Sequence, residues 1–226
     1  MKTGAIFCCL LAGIVLCIGT ASGKIITLSD DDKESILNAH NNYRSWVRPT
    51  AANMVELEWS DLLANIAQKY LENCKYYHSN KAERDKAAAP YFSSVGENIL
   101  AYTGRKMYIW YLIEIMAEEG EYYNYPFCQS GRNCRRYTQI IWATTTHVGC
   151  ALAHCPAGRG KTREILVCNY GPAGNTPGVN PYIKGSTCSQ CPVSHDACYW
   201  DLCLPADTLL VSGFLSQLHA CVVHVL

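Results

Sequence analysis

Apolar residues return at helical spacing in three segments of the first half of this chain and crowd at strand-like density in three segments of the second. After Ser29, the acids Asp30, Asp31 and Asp32 precede Ile36, His40, Tyr43 and Val47, which recur at intervals of four, three and four. A small hydroxyl ahead of carboxylates favours a helix start, where unpaired N–H groups and the positive end of the dipole lie. Ser60-Asp61 repeats the signal, followed by Leu63, Ile66, Ala67, Tyr70, Leu71 and Cys74 on one stripe. A third helix is expected over residues 105–121, burying Ile109, Leu112, Ile113 and Met116 and stopping around Gly120 and Pro126.

The β-rich runs are 136–143, 148–153 and 164–170, and Gly158-Arg159-Gly160 between the last two suggests an antiparallel connection. From 171 to 187 the composition turns to Gly, Pro, Asn and Thr, an irregular linker, and 188–203 reads as a separate, cysteine-dense knot. The chain is therefore a mixture of helix and strand with a small appendage.

Both ends carry apolar segments. Residues 1–23 combine Lys2, an apolar block and the small residues Thr20-Ala21-Ser22-Gly23, the pattern of a cleaved secretory signal, so the mature chain should begin near Lys24. Of fourteen cysteines, Cys8, Cys9 and Cys17 lie in that segment, leaving an odd number. Cys221 alone falls in the apolar tail at 205–226; removing the tail leaves ten cysteines, which can pair fully in an oxidising compartment. The tail has three readings: a marginal membrane span, opposed by Gln217, His219 and His224; a discarded lipid-anchor signal with small residues at Ala206-Asp207 or Ser212-Gly213; or the end of a soluble protein. Net charge is zero with no basic run, which argues against a nucleic-acid partner.

Several motifs are more specific: HNNYR at 40–44, CKYYHS ending at His78-Ser79, GENI at 96–99, EYYNY at 121–125, YTQIIWATTTHVGC at 137–150 and CNYGPAGN at 168–175. Through them the chain resembles the CAP superfamily of cysteine-rich secretory, antigen-five and plant pathogenesis-related proteins over about residues 30–182. Cys128 and Cys134 ahead of YTQ, and the linker PYIKGSTCSQC, are similar to its glioma-pathogenesis-related-like subgroup. The resemblance implies an α+β fold, a three-layer α-β-α sandwich at 24–182 followed by a disulfide-rich hinge at 183–204. It also implies the pairs Cys74–Cys155, Cys150–Cys168, Cys128–Cys134, Cys188–Cys198 and Cys191–Cys203. Val95 and Gly171 stand where some relatives carry a further bridge, so both of its ends are missing together.

Relatives gather two histidines and two glutamates able to hold a divalent metal. Residue by residue, this resemblance gives His78, Glu97 and Glu119, with Glu114 as the fallback for the last. The second histidine should directly precede Tyr137, and there the chain has Arg136. A guanidinium has only donors and stays charged, so Arg136 cannot be a ligand; beside Glu97 and Glu119 it would take the cationic role itself. The expectation is a salt-bridged cavity with no metal cofactor and only residual weak zinc binding. His147 and His154, the alternative ligands, are more simply strand or turn residues. His40 reads as a hydrogen-bonded core histidine, Trp46, Trp59, Trp110 and Trp142 as core or cleft walls, and Cys188–Cys191 as disulfide partners.

An enzyme reading has little to stand on. There is no Gly-x-Ser-x-Gly elbow, the metal set is broken, and Ser79 near His78 is the one candidate pair. The resemblance implies instead a noncatalytic binding protein, secreted or lipid-anchored at the cell surface, acting in sperm–egg interaction, the reproductive tract or defence on an extracellular or cell-surface protein. A sterol or lipid carrier is the alternative, and a metal-dependent or serine-type hydrolase the third reading.

Overall fold

A computed structural model describes residues 23–104 and 106–205, and the backbone of 7–11 and 14–18. Most of the expected signal, Arg105 and the tail with Cys221 lie outside the described residues. The elements in chain order are β1 (Phe7–Leu11), β2 (Ile14–Ile18), β3 (Lys24–Ile26), α1 (Asp30–Ser45), β4 (Glu58–Trp59), α2 (Asp61–Leu71), α3 (Lys81–Ala88), β5 (Gly96–Tyr102) and α4 (Ile109–Ala117). A 3-10 turn at Glu118–Tyr122, β6 (Tyr123–Asn124), β7 (Phe127–Cys128), α5 (Arg135–Ile140), β8 (His147–Pro156), β9 (Thr162–Gly171), β10 (Ala197–Tyr199) and β11 (Leu202–Leu204) follow.

Local chemistry starts the first two helices. The Ser29 hydroxyl accepts from the Asp32 N–H while the Asp32 carboxylate accepts from the Ser29 N–H, a reciprocal cap on α1. Ser60 caps α2 through its Oγ, which accepts from the Leu63 N–H. The third expected helix is shorter than 105–121. It begins at Ile109 and tightens into the 3-10 turn at Glu118, where Gly120 lies so close to the Tyr137 ring that an added Cβ would sit 2.9 Å from it.

The sheet runs β3-β8-β9-β5, antiparallel throughout, with short β4 joined in parallel to the start of β8. Its pleat divides the core. Val148, Cys150, Leu152, Leu166, Cys168 and Tyr170 pack with α1 and α4 residues, whereas Ala151, Ala153, Ile165 and Val167 pack with Ala67 and Leu71 of α2. Helices thus cover both faces, the three-layer α-β-α arrangement. Gly149 permits the approach of α2, since a Cβ there would meet Ser60 O and Ala64 N at 2.3 Å.

Four expectations need correction. Residues 136–143 form α5 and a turn, not a strand: the Thr138 N–H and hydroxyl bond Cys134 O, and Ile141 N bonds Tyr137 O. The β-branched density there serves burial of Ile140 and Ile141, not strand pairing. Helix α3 and strand β5 were not read as elements; α3 has no apolar period, and it starts because Asn80 Oδ1 accepts from the N–H groups of Ala82 and Glu83. Trp46 is 75% exposed at the end of α1, Val47 taking the core position, and Trp110 projects from the start of α4. The cysteine knot does not stand apart: the backbone of Cys203 bonds Met54 O and Glu56 N, and Leu202 joins the main core.

Five disulfides close among the described residues. Cys150–Cys168 joins opposed residues of β8 and β9; Cys74–Cys155 ties the end of α2 to the end of β8; Cys128–Cys134 staples the turn before α5; and Cys188–Cys198 with Cys191–Cys203 clamp the β10–β11 hairpin.

Polar groups order the interior beneath α1. Arg44 is fully buried and donates to the carbonyls of Val55, Ile140, Trp142, Ala143 and Thr145. One turn earlier, the His40 Nδ1–H donates to Ile36 O at 2.8 Å, which leaves Nε2 to accept the Tyr170 hydroxyl at 2.9 Å; Tyr170 in turn accepts from Asn98. With the ring neutral both nitrogens are engaged and the Tyr170 proton keeps its acceptor, which a protonated Nε2 would take away. Burial, aided by the Arg44 charge and opposed by the Ile36 bond, pushes the His40 pKa from 6.5 down to about 4. Between those values the unfolded chain binds more protons than the folded one. This contribution is therefore complete above pH 6.5 and is lost on acidification toward pH 4, by roughly 3 kcal/mol. Urea unfolding at a series of pH values should show that decline and show it abolished in His40→Gln; a flat natural profile would contradict it.

Candidate functional site

Glu97, the second residue of β5, pairs with Asn169 and turns its side chain to the α2 face, as Ile99 does. Its carboxylate is almost completely enclosed, with a side-chain exposure of 1%. Oε1 accepts from His78 Nδ1 at 3.0 Å, the Ser79 N–H at 2.9 Å and Arg84 Nη1 at 3.3 Å, and Oε2 accepts the Ser79 hydroxyl at 2.7 Å. Arg84 Nη1 also donates to Ser79 O and Ser79 Oγ. Burial alone would push the Glu97 carboxyl up, but the bonds from His78 and Ser79 and the Arg84 charge outweigh it and hold the group below the usual carboxylate range. The stability this supplies is present above that range and is lost as pH falls through the lowered value. His78 itself stays largely exposed and lines a cleft of about 640 Å³ between the end of α2 and α3, walled by Ile66, Tyr70 and Tyr77.

The second carboxylate has a different set of partners. Glu119, buried in the 3-10 turn, accepts the Arg136 N–H at 2.7 Å and the Tyr137 N–H at 3.4 Å on Oε2, and Arg136 Nε at 2.8 Å on Oε1. It therefore satisfies the opening N–H groups of α5 and neutralises the guanidinium that α5 carries. Glu114 lies on α4 and has no part in this pair.

The structure does not place Arg136 beside both glutamates. It joins Arg136 to Glu119 only, and the guanidinium at Glu97 belongs to Arg84, a residue that sequence reasoning missed. The pleat of β5 is the reason. Glu97 faces α2, while the next residue, Asn98, faces the other layer and donates to Arg136 O at 2.9 Å. Arg84 sits in the charge-rich run KAERDKAA, where nothing separates a buried arginine from solvated neighbours. His147 lies 3.7 Å from Glu58, and His154 bonds Glu164 at 3.0 Å, so each is engaged by a carboxylate beside it in the sheet.

Among the described residues, the one set of three potential ligands within 4.8 Å of one another is Cys188, Cys191 and Cys203, all in disulfides. Glu97 and Glu119 each already meet a guanidinium. Ser79 Oγ donates to Glu97 Oε2 and accepts from Arg84, and His78 Nδ1 meets the same carboxylate and not the hydroxyl.

The family profile described as "CAP: Cysteine-rich secretory protein family" matches residues 37–170. The chain is 35% identical over 208 residues to peptidase inhibitor 16 of Bos taurus, covering 90% of this chain and 42% of that protein, so it spans less than half of that relative. It is 35% identical over 199 residues to GLIPR1-like protein 1 of Homo sapiens, covering 87% and 81% respectively. Among solved structures, that of NaASP2 with Zn2+ matches at a TM-score of 0.62 and 25% identity, over 78% of this chain and 96% of that one.

Proposed function

This chain belongs to the CAP, or cysteine-rich secretory protein, family, and from that premise we propose that it is an extracellular, noncatalytic binding protein. The observation that carries this reading is the closed set of bonds around Glu97. His78, Ser79 and Arg84 each place a polar hydrogen on one carboxylate, and Arg84 also bonds Ser79, which favours a loop held ahead of α3 over a readied nucleophile or metal-bound water. The Arg136–Glu119 pair does the same for the start of α5. Export is supported by the disulfides, which persist in oxidising compartments. No helix among the described residues is long and apolar enough to cross a membrane. The partner on this reading is an extracellular or cell-surface protein docking over the His78 cleft, and likeness to the GLIPR1-like relatives favours a role in sperm–egg interaction, the reproductive tract or defence. A lipid anchor replacing the tail is compatible with it.

Zinc calorimetry and hydrolase assays test the reading together. The natural protein should bind zinc only weakly, with no turnover, and Arg136→His should raise the affinity measurably because it frees Glu119 Oε1 and adds a neutral ligand nitrogen, while Oε2 keeps its backbone N–H groups. Tight zinc binding by the natural protein, or hydrolysis abolished by His78→Ala, would overturn it. Solvent extraction followed by mass analysis separates the sterol or lipid carrier, which would yield a stoichiometric lipid.

A further inference from the structure

Where the β10–β11 hairpin meets α1, a groove of about 210 Å³ opens on the surface away from His78 and Glu97. One wall is the amide-rich side of α1. Asn41 forms its fixed base, since both ends of its carboxamide bond the backbone of Leu57, at 3.1 and 2.9 Å. Asn38 and Asn42, one helical turn apart, flank it and are exposed. The other wall is aromatic: Tyr199 and Trp200 are 57% and 72% exposed, with ring centroids 6.2 Å apart and planes at 65°.

The aromatic wall is held rigidly. Cys188–Cys198 and Cys191–Cys203 clamp the two strands, and Cys203 is bonded through its backbone to Met54 and Glu56. Trp200 and Asp201 form the two-residue tip with φ of +49° and +64°, a left-handed turn that Asn-Gly adopts far more readily. A large ring at such a position is presented to solvent by a backbone that resists collapse around it.

We propose that this groove binds a neutral saccharide. The chemistry is complementary on both walls. The apolar C–H face of a pyranose stacks on an indole or phenol ring, and its hydroxyls, each a donor and an acceptor, match carboxamides that offer both. Charge selects within the class: Glu56 is the charged group lining the groove, and an anion there disfavours sialylated or sulfated sugars.

The test is an array of immobilised neutral, sialylated and sulfated glycans probed with the disulfide-intact secreted protein. Neutral glycans should be retained and acidic ones not. Trp200→Asn, which suits the left-handed turn and should keep the thermal midpoint, should weaken retention tenfold or more; Asn38→Ala combined with Asn42→Ala should do likewise, and Tyr91→Ala, an exposed aromatic elsewhere, should not. Failure to retain any neutral glycan, preference for acidic glycans, or undiminished retention by a folded Trp200→Asn would each overturn the proposal. None of these outcomes bears on the site at Glu97.

Discussion

Removing the Cys74–Cys155 bridge by Cys74→Asn with Cys155→Ala is expected to lower the unfolding free energy by roughly 4–5 kcal/mol, the largest loss of any single crosslink here. The bridge closes 81 residues, against 18, 12, 10 and 6 for the others, and the entropy withheld from the unfolded chain grows with the logarithm of that span. Asn is chosen because Cys74 has a φ of +53°, which Asn tolerates, so crosslink loss is separated from turn strain. Since a domain of this size has a total stability of only about 5–15 kcal/mol, the variant should unfold at a much lower urea concentration. A second consequence is local. Cys74 sits four residues before His78, so the loop that engages Glu97 loses its anchor, and the variant should also be the more acid-sensitive. A loss below about 1 kcal/mol would show that loop closure is not what this bridge contributes.

Arg44→Met is expected to cost roughly 3–5 kcal/mol in the same assay. A buried charge can often be replaced by a hydrophobic group of similar volume without loss, because desolvation offsets attraction. That argument fails here because the acceptors are backbone carbonyls. Methionine fills the space but leaves Val55, Ile140, Trp142, Ala143 and Thr145 facing an apolar side chain, and the backbone cannot be mutated away. Arg44→Lys should lie between the two, since an ammonium has three donors for five carbonyls and no planar fork. An Arg44→Met protein as stable as the natural one would mean that water reaches those carbonyls and that the buried fork is dispensable.

The same residues mark what could be read in advance. Helices α1 and α2 were legible because Ser29 and Ser60 cap them and their apolar stripes are regular; β8 and β9 were legible because apolar density is continuous on a strand covered on both faces. The 136–143 run misled because Thr138, Ile140 and Ile141 have strand-like propensity, while the carbonyl bonds to Arg44 and the Cys128–Cys134 staple favour a helical turn. Helix α3 gave no periodic signal at all, since its buried contribution is one arginine and one alanine.

For the site, the motifs pointed to Glu97, Glu119, His78 and Arg136, of which the structure pairs His78 with Glu97 and Arg136 with Glu119. Which guanidinium meets which carboxylate was not available from the chain alone. It depends on which face of β5 Glu97 occupies, and therefore on the register of β5 against β9, a pairing across some seventy residues of sequence. Caps, periods and residue chemistry act over a few residues and so can be read along the chain; facing, partner choice and the groove between α1 and the hairpin arise only when distant segments pack.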